Sequence, residues 1–173
     1  MASAAAPVRS GGFDRAGIAR MIALLLPLAL LGGAYGSQYF GGLHPCEMCW
    51  WQRYAHMAAL IPAVLAFTAP ANSLRARDLT FLAAIGMAVS GAFGFYHAGV
   101  ERGIFEGITT CTATAKATST QELLNELMHA PIVRCDQVQW SFLGISMAGW
   151  NAIISLCGAA VIIGLTLTAR RER

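Results

Sequence analysis

The sequence predicts an all-α membrane protein, a bundle of four transmembrane helices with one long hydrophilic loop that carries a short amphipathic helix. Three observations carry this expectation. Four apolar stretches, at about residues 17–36, 49–67, 79–100 and 142–168, are each long enough to cross a hydrocarbon core as a helix. Of the 173 residues, 56% are hydrophobic and only 12% are charged, where a soluble domain averages about 25% charged. The arginines gather in alternate connecting segments. The length suits a single domain. No basic patch is interleaved with aromatics, which argues against a nucleic-acid partner.

Residues 1–16 read as a tail, flexible where it is rich in Ala, Ser and Gly. The first span, 17–36, carries Arg20 near its start and Pro27 inside. A proline there should bend the helix, which is tolerated where neighbouring helices cover the freed carbonyl. A cleaved signal peptide is the rival reading, because Arg9, Arg15 and Arg20 precede the run and Ala34-Tyr35-Gly36 offers small residues. The run is long for such a segment. Residues 37–48 form a short link. The second span, Cys49 to Phe67, contains Pro62, and a polar turn from Thr68 to Asp78 follows. The third span, Leu79 to Val100, has Gly86, Ser90 and Gly94 at helix-packing spacing. The long loop occupies 101–141. The fourth span, Phe142 to Thr168, is flanked by Trp140 and Trp150 in the manner of an interfacial belt. Residues 170–173 form a basic tail.

Charge sets the orientation. Arg9, Arg15 and Arg20, then Arg75 and Arg77, then Arg170, Arg171 and Arg173 assign both ends and the middle turn to the cytoplasmic side. The segments 37–48 and 101–141 hold most of the acids and fall outside. Four of the five cysteines then lie outside: Cys46 and Cys49 at the mouth of the second span, and Cys111 and Cys135 in the long loop. That compartment is where disulfides persist. Cys157 falls in mid-membrane and is expected to be a small buried apolar residue.

Two cysteine pairs on one small membrane protein invite electron relay between them. The plainer alternative is two structural disulfides, although a Cys-x-x-Cys bridge closes too short a loop to hold much together. Zinc held by four thiolates is disfavoured by the outer location and the uneven spacing. A c-type haem would need His where Trp50 stands, and no βαβ pattern supports a thioredoxin domain.

Pro45-Cys46-Glu47-Met48-Cys49-Trp50-Trp51-Gln52-Arg53 is the stretch that organises the rest. Pro45 suits a helix start. On the helix it opens, Cys46, Cys49, Arg53 and His56 share one face. Arg53, about 6 Å below Cys49 at 1.5 Å per residue, would favour a thiolate there, as would the helix N-terminus. Glu47 opposes it. The alternative for Arg53 is an arginine that only snorkels to the interface. His97, at the outer end of the third span, could hydrogen-bond a bound cofactor or simply face water. His56 reads as a packed helix histidine.

In the long loop, Ser119-Thr120-Gln121-Glu122 reads as a capping box. It opens a short helix with Leu123, Leu124, Leu127 and Met128 on one side, which Pro131 ends. Such a helix can lie on the membrane surface.

At these residues the chain resembles the bacterial disulfide bond formation protein B (DsbB) family. Pro45-Cys46-Glu47-Met48-Cys49-Trp50-Trp51-Gln52-Arg53 is similar to the family's Pro-Cys-x-x-Cys-x-x-x-Arg. Cys111 and Cys135 are similar to its second-loop pair, and Tyr96-His97 and Trp140-Ser141-Phe142-Leu143-Gly144 also resemble it. The resemblance runs from about Gly17 to Thr168 and implies a quinone-linked thiol oxidase of the bacterial inner membrane with periplasmic redox cysteines. It implies redox disulfides Cys46–Cys49 and Cys111–Cys135, and a periplasmic thioredoxin-like (DsbA-type) partner that attacks Cys111. Cys135 would then pass to Cys46. Cys49 would face a ubiquinone or menaquinone held by Arg53 and His97, with no metal. Two alternatives stay open. In a vitamin K epoxide reductase-like enzyme the Cys-x-x-Cys follows the loop cysteines, whereas here it precedes them. A non-enzymatic scaffold with structural disulfides leaves Arg53 on the cysteine face without a role.

Overall fold

The computed structural model describes residues 14–70, 73–107, 120–121 and 133–171. Four helices dominate it: α1 (Arg15–Tyr39), α2 (Glu47–Phe67), α3 (Leu74–Glu101) and α4 (Met147–Arg171). Each of the first three starts where a side chain can take a free amide. Asp14 accepts from Gly17 N at 2.7 Å, and Ser73 accepts from Ala76 N at 3.1 Å. At α2 the cap is Cys46, whose sulfur accepts from Cys49 N.

The helices form a ring in which α1 packs on α2, α2 on α3, α3 on α4 and α4 back on α1. Three of them, α1, α3 and α4, are long and apolar enough to cross a membrane. The second expected span, α2, has the length but turns Gln52, Arg53 and His56 inward, all of them buried. At one end, Arg20 Nη1 donates to Ala66 O at 3.1 Å and so ties the start of α1 to the last turn of α2. Pro27 and Pro62 both lie inside continuous helices, on buried faces.

Small residues set the spacing. Ala19 and Ala23 of α1, Ala59 and Ala63 of α2, Ala83, Ala84 and Met87 of α3, and Ala159 and Ile162 of α4 form one buried core. A Cβ on Gly86 would stand 2.8 Å from Ala59 Cβ, and one on Gly94 2.9 Å from Ala148 O. Gly86, Ser90 and Gly94 therefore do form a packing stripe, with Gly86 and Gly94 against different neighbours.

Three expectations shift. The third helix begins at Leu74 instead of Leu79, because Ser73 caps it and draws Arg75, Arg77 and Asp78 into its first turns. The fourth begins at Met147 instead of Phe142. Ser141–Phe142 and Ile145–Ser146 pair as a two-stranded antiparallel hairpin, here β1 and β2. Leu143 (φ 53°) and Gly144 (φ 75°) both turn left-handed, as a two-residue hairpin loop demands. Cys157 is exposed on the outer face of α4 and not buried, since the neighbouring Ser155 and Gly158 are the ones turned into the bundle. Cys111 and the amphipathic helix from Glu122 to Pro131 lie outside the described residues.

Candidate functional site

The site gathers at the N-terminus of α2. Cys46, as its N-cap, is 3% exposed, and its Sγ stands 3.0 Å from Cys49 Sγ. Both are free thiols, as is Cys157. From α3, His97 brings Nε2 to 3.6 Å from Cys46 Sγ. The same nitrogen lies 3.2 Å from Cys135 O. The ligating atoms of Cys46, His97 and Cys135 lie within 4.8 Å of one another, and all three residues are buried. Val100 and Met48 close around them, with Val133 partly buried alongside. The hydrogen bond with Cys49, and then burial, push the Cys46 thiol well above the ordinary thiol range.

The residues on either side of Cys135 pair with each other. Arg134 Nε donates to Asp136 Oδ1 at 2.9 Å, a pairing that straddles Cys135. The Arg134 guanidinium holds the exposed Asp136 carboxyl below the usual carboxylate range.

The tautomer of His97 follows from Gln52. The Gln52 amide nitrogen donates to Met48 O at 3.1 Å, which fixes which end of the amide is which. That nitrogen also lies 3.0 Å from His97 Nδ1, so Nδ1 accepts and Nε2 carries the ring hydrogen. The Nε2–H is therefore directed towards Cys135 O and Cys46 Sγ. On the next turn of α3, Glu101 Oε1 lies 3.9 Å from His97 Nε2. Its other oxygen is buried with no partner.

Arg53 turns away from the sulfurs towards α1. Its Nη1 donates to Gln38 Oε1 and its Nη2 donates to Ala34 O at 3.0 Å. The guanidinium also lies over the rings of Tyr35 at 4.8 Å and Trp50 at 5.1 Å. The expected neighbourhood with Cys49 is thus one of shared wall, not of direct hydrogen bonding.

Below the sulfurs lies a cavity of about 560 Å³, within the range of ~300–1,000 Å³ typical of small-molecule pockets. Cys46, Cys49, Arg53 and His56, the face read from spacing, all line it, and so does His97. Leu30, Ala34 and Ile154 give it apolar walls. The arrangement offers a buried dithiol, a third thiol within reach and an apolar chamber against both, which suits thiol–disulfide exchange coupled to a small ring-sized acceptor.

Sequence reasoning gave no site role to Gln52 or to Ser90, which it read only as a packing residue, and passed over Asn151 and Ser155. Asn151 Nδ2 donates to Gln52 Oε1 at 2.8 Å and to Ser90 Oγ at 3.2 Å. Ser155 Oγ donates to Asn151 Oδ1 at 3.1 Å. The one signal for them was the presence of two side-chain amides inside otherwise apolar stretches.

Known proteins resemble the chain along most of its length. The family described as Disulfide bond formation protein DsbB matches residues 16–165. A disulfide bond formation protein B of Marinobacter nauticus is 26% identical, over 87% of this chain and 90% of that protein. One of a Polaromonas species is 29% identical, over 89% and 92%. One of Pseudoalteromonas translucida is 30% identical, over 77% and 78%. No solved structure matches the chain.

Proposed function

The chain belongs to the disulfide bond formation protein DsbB family, a multi-pass, disulfide-generating membrane oxidoreductase, and from that premise we propose that it passes electrons from a periplasmic protein dithiol to a membrane quinone. In this reading all four helices span a bacterial inner membrane, both termini are cytoplasmic, and Cys46, Cys49, Cys111 and Cys135 face the periplasm. The redox disulfides are Cys46–Cys49 and Cys111–Cys135. The arginine distribution supports that orientation.

The relay proceeds by thiol–disulfide exchange. A thioredoxin-like partner's thiolate attacks Cys111 and releases Cys135. Cys135 then attacks Cys46 and releases Cys49. The partner's second thiol resolves the mixed disulfide, and the partner leaves oxidised. Cys111 then attacks Cys135 and releases Cys46, so the reducing equivalents now sit on Cys46 and Cys49. A quinone, when bound, accepts two electrons and two protons as Cys46–Cys49 re-forms. The net change is partner dithiol plus quinone to partner disulfide plus quinol.

One observation carries this reading: Cys135, from the far end of the long loop, lies buried against Cys46 and His97. Two structural disulfides would not need a loop thiol beside the Cys-x-x-Cys pair. His97 Nε2–H supports the approach by holding the Cys135 carbonyl. The residues present also fit a quinone. The cavity touches Cys49, its walls are mostly apolar, and Arg53 supplies donors at its edge.

The test is quinone-dependent oxidation of a reduced thioredoxin-like protein by membranes containing the chain, with Cys49→Ser alongside. Turnover in wild type and none in Cys49→Ser is expected. Failure of wild type with every donor and quinone tried overturns the reading in favour of a structural role for the cysteines.

A further inference from the structure

Among the described residues three buried side-chain atoms have no hydrogen-bond partner, on Arg20, His56 and Glu101, and the one on His56 belongs to a residue of the cavity wall deep in the bundle. His56 is 3% exposed and stands on the cavity wall, yet its Nδ1 is buried with no hydrogen-bond partner. Such a group is costly to bury and calls for a reason.

The hydrogen-bond pattern states what that atom offers. Gln52 is fixed by Met48 O, so its Oε1 faces Asn151 and takes the Asn151 amide hydrogen at 2.8 Å. Asn151 Oδ1 is then the end that faces His56, at 2.9 Å from Nε2. An oxygen there requires the hydrogen to be on His56 Nε2. The neutral ring therefore presents a bare lone pair at Nδ1. Donors run in one direction from His56 through Asn151 and Gln52 to His97 at the sulfurs, and the lone pair is left at the deep end.

A quinone oxygen also has only lone pairs, so it gains nothing from such an atom. A hydroquinone hydroxyl is a donor. We propose, resting on the quinone reading above, that His56 Nδ1 is an acceptor subsite for a hydroxyl of the reduced ring, so that the cavity holds a hydroquinone more tightly than the corresponding quinone. No electron moves through His56. Its effect is to favour the state in which the ring has gained two electrons and two protons while Cys46 and Cys49 have lost them. A tenfold preference for the reduced ring corresponds to about 30 mV for a two-electron couple.

Binding, not turnover, tests this. The full-length, fully oxidised protein is titrated anaerobically with a short-chain 1,4-benzoquinone and, separately, with its hydroquinone, and the two dissociation constants are compared. His56→Gln keeps an N–H for Asn151 but has no acceptor at the Nδ1 position. His56→Asn places an amide oxygen at the Nδ1 position but gives up the reach to Asn151. Wild type and His56→Asn are expected to bind the hydroquinone about tenfold more tightly than the quinone, the size expected for one hydrogen bond. His56→Gln is expected to bind the two alike. Equal affinities in wild type, or a preference that survives in His56→Gln, overturn the proposal. Loss in both amide variants alike overturns it in favour of packing. A wild type that binds neither form overturns the quinone reading itself, whereas one that binds both equally overturns only this subsite.

Discussion

Cys46 Sγ lies 3.6 Å from His97 Nε2, although 51 positions separate the two residues and they come from different helices. The contact fixes the register between the top of α2 and the top of α3. It also sets the sulfur that begins α2 beside the nitrogen that holds Cys135 O. His97 thus belongs to the exchange between the two cysteine pairs at least as much as to the cavity below.

This makes His97→Leu informative. The change leaves the Gln52 amide with one buried donor unpaired, which should destabilise the protein by ~1–3 kcal/mol. It also frees the Cys135 carbonyl. Transfer from Cys135 to Cys46, followed by acid quench and alkylation, should slow by about ten- to a hundredfold, as lost positioning does elsewhere. Binding of the partner at Cys111 should change little. A His97→Leu variant that forms the Cys46–Cys135 bridge at the wild-type rate would sink this role.

The two thiols of the Cys-x-x-Cys pair should differ in reactivity. The Cys49 contact and burial hold Cys46 above the ordinary thiol range, so as pH rises it stays protonated beyond the point where a free thiol would have ionised. Only the thiolate attacks an alkylating agent. In the reduced protein at pH 8, Cys46 should be modified by iodoacetamide at least about tenfold more slowly than Cys49, because a thiol that ionises one pH unit higher carries about a tenth of the thiolate. Peptide mass spectrometry of timed samples reads the ratio directly. Equal rates would refute the assignment.

Helix packing gives a third expectation. Gly94→Val would drive a Cβ to 2.9 Å from Ala148 O and 3.0 Å from Ala152 N, both backbone atoms of the neighbouring helix. Such overpacking costs ~1–3 kcal/mol, and it should part α3 from α4 at the Asn151 network, whose Nδ2 the new Cβ would meet at 3.0 Å. Thermal unfolding in detergent should show a clear fall in midpoint. Gly33→Val, where a new Cβ meets nothing, should not.

Much of this was legible in the sequence, for a physical reason. Apolar length is a local property, so four helices could be read from run length alone. The shared face of Cys46, Cys49, Arg53 and His56 follows from helical period, and all four do line one cavity. The hairpin at Ser141 to Ser146 was not legible, because Phe142, Leu143 and Ile145 are as apolar as the helix they precede. Only Gly144 hinted at a turn. Nor did spacing reveal where Arg53 points. Position on a helix fixes a face, but Gln38 and Ala34 O on another helix decide the rotamer. The meeting of Gln52 with Asn151 depends on the pairing of α2 and α4 across the ring, which one sequence does not record.

Arg53 supplies the last expectation. Its guanidinium donates in two directions at once, to Gln38 Oε1 and to Ala34 O, while Tyr35 and Trp50 lie against its faces. A lysine keeps the charge but loses both the fork and the flat face. If Arg53 frames the acceptor's entry to the cavity, Arg53→Lys should raise the KM for quinone by about tenfold, the equivalent of ~1.4 kcal/mol, and leave kcat within about twofold. That split is the mark of lost binding rather than lost chemistry. The rate of Cys135 transfer to Cys46 should stay as in wild type, because neither Arg53 hydrogen bond reaches a sulfur. A fall in that transfer rate, with KM for quinone unchanged, would move Arg53 from the acceptor's side of the site to the thiols.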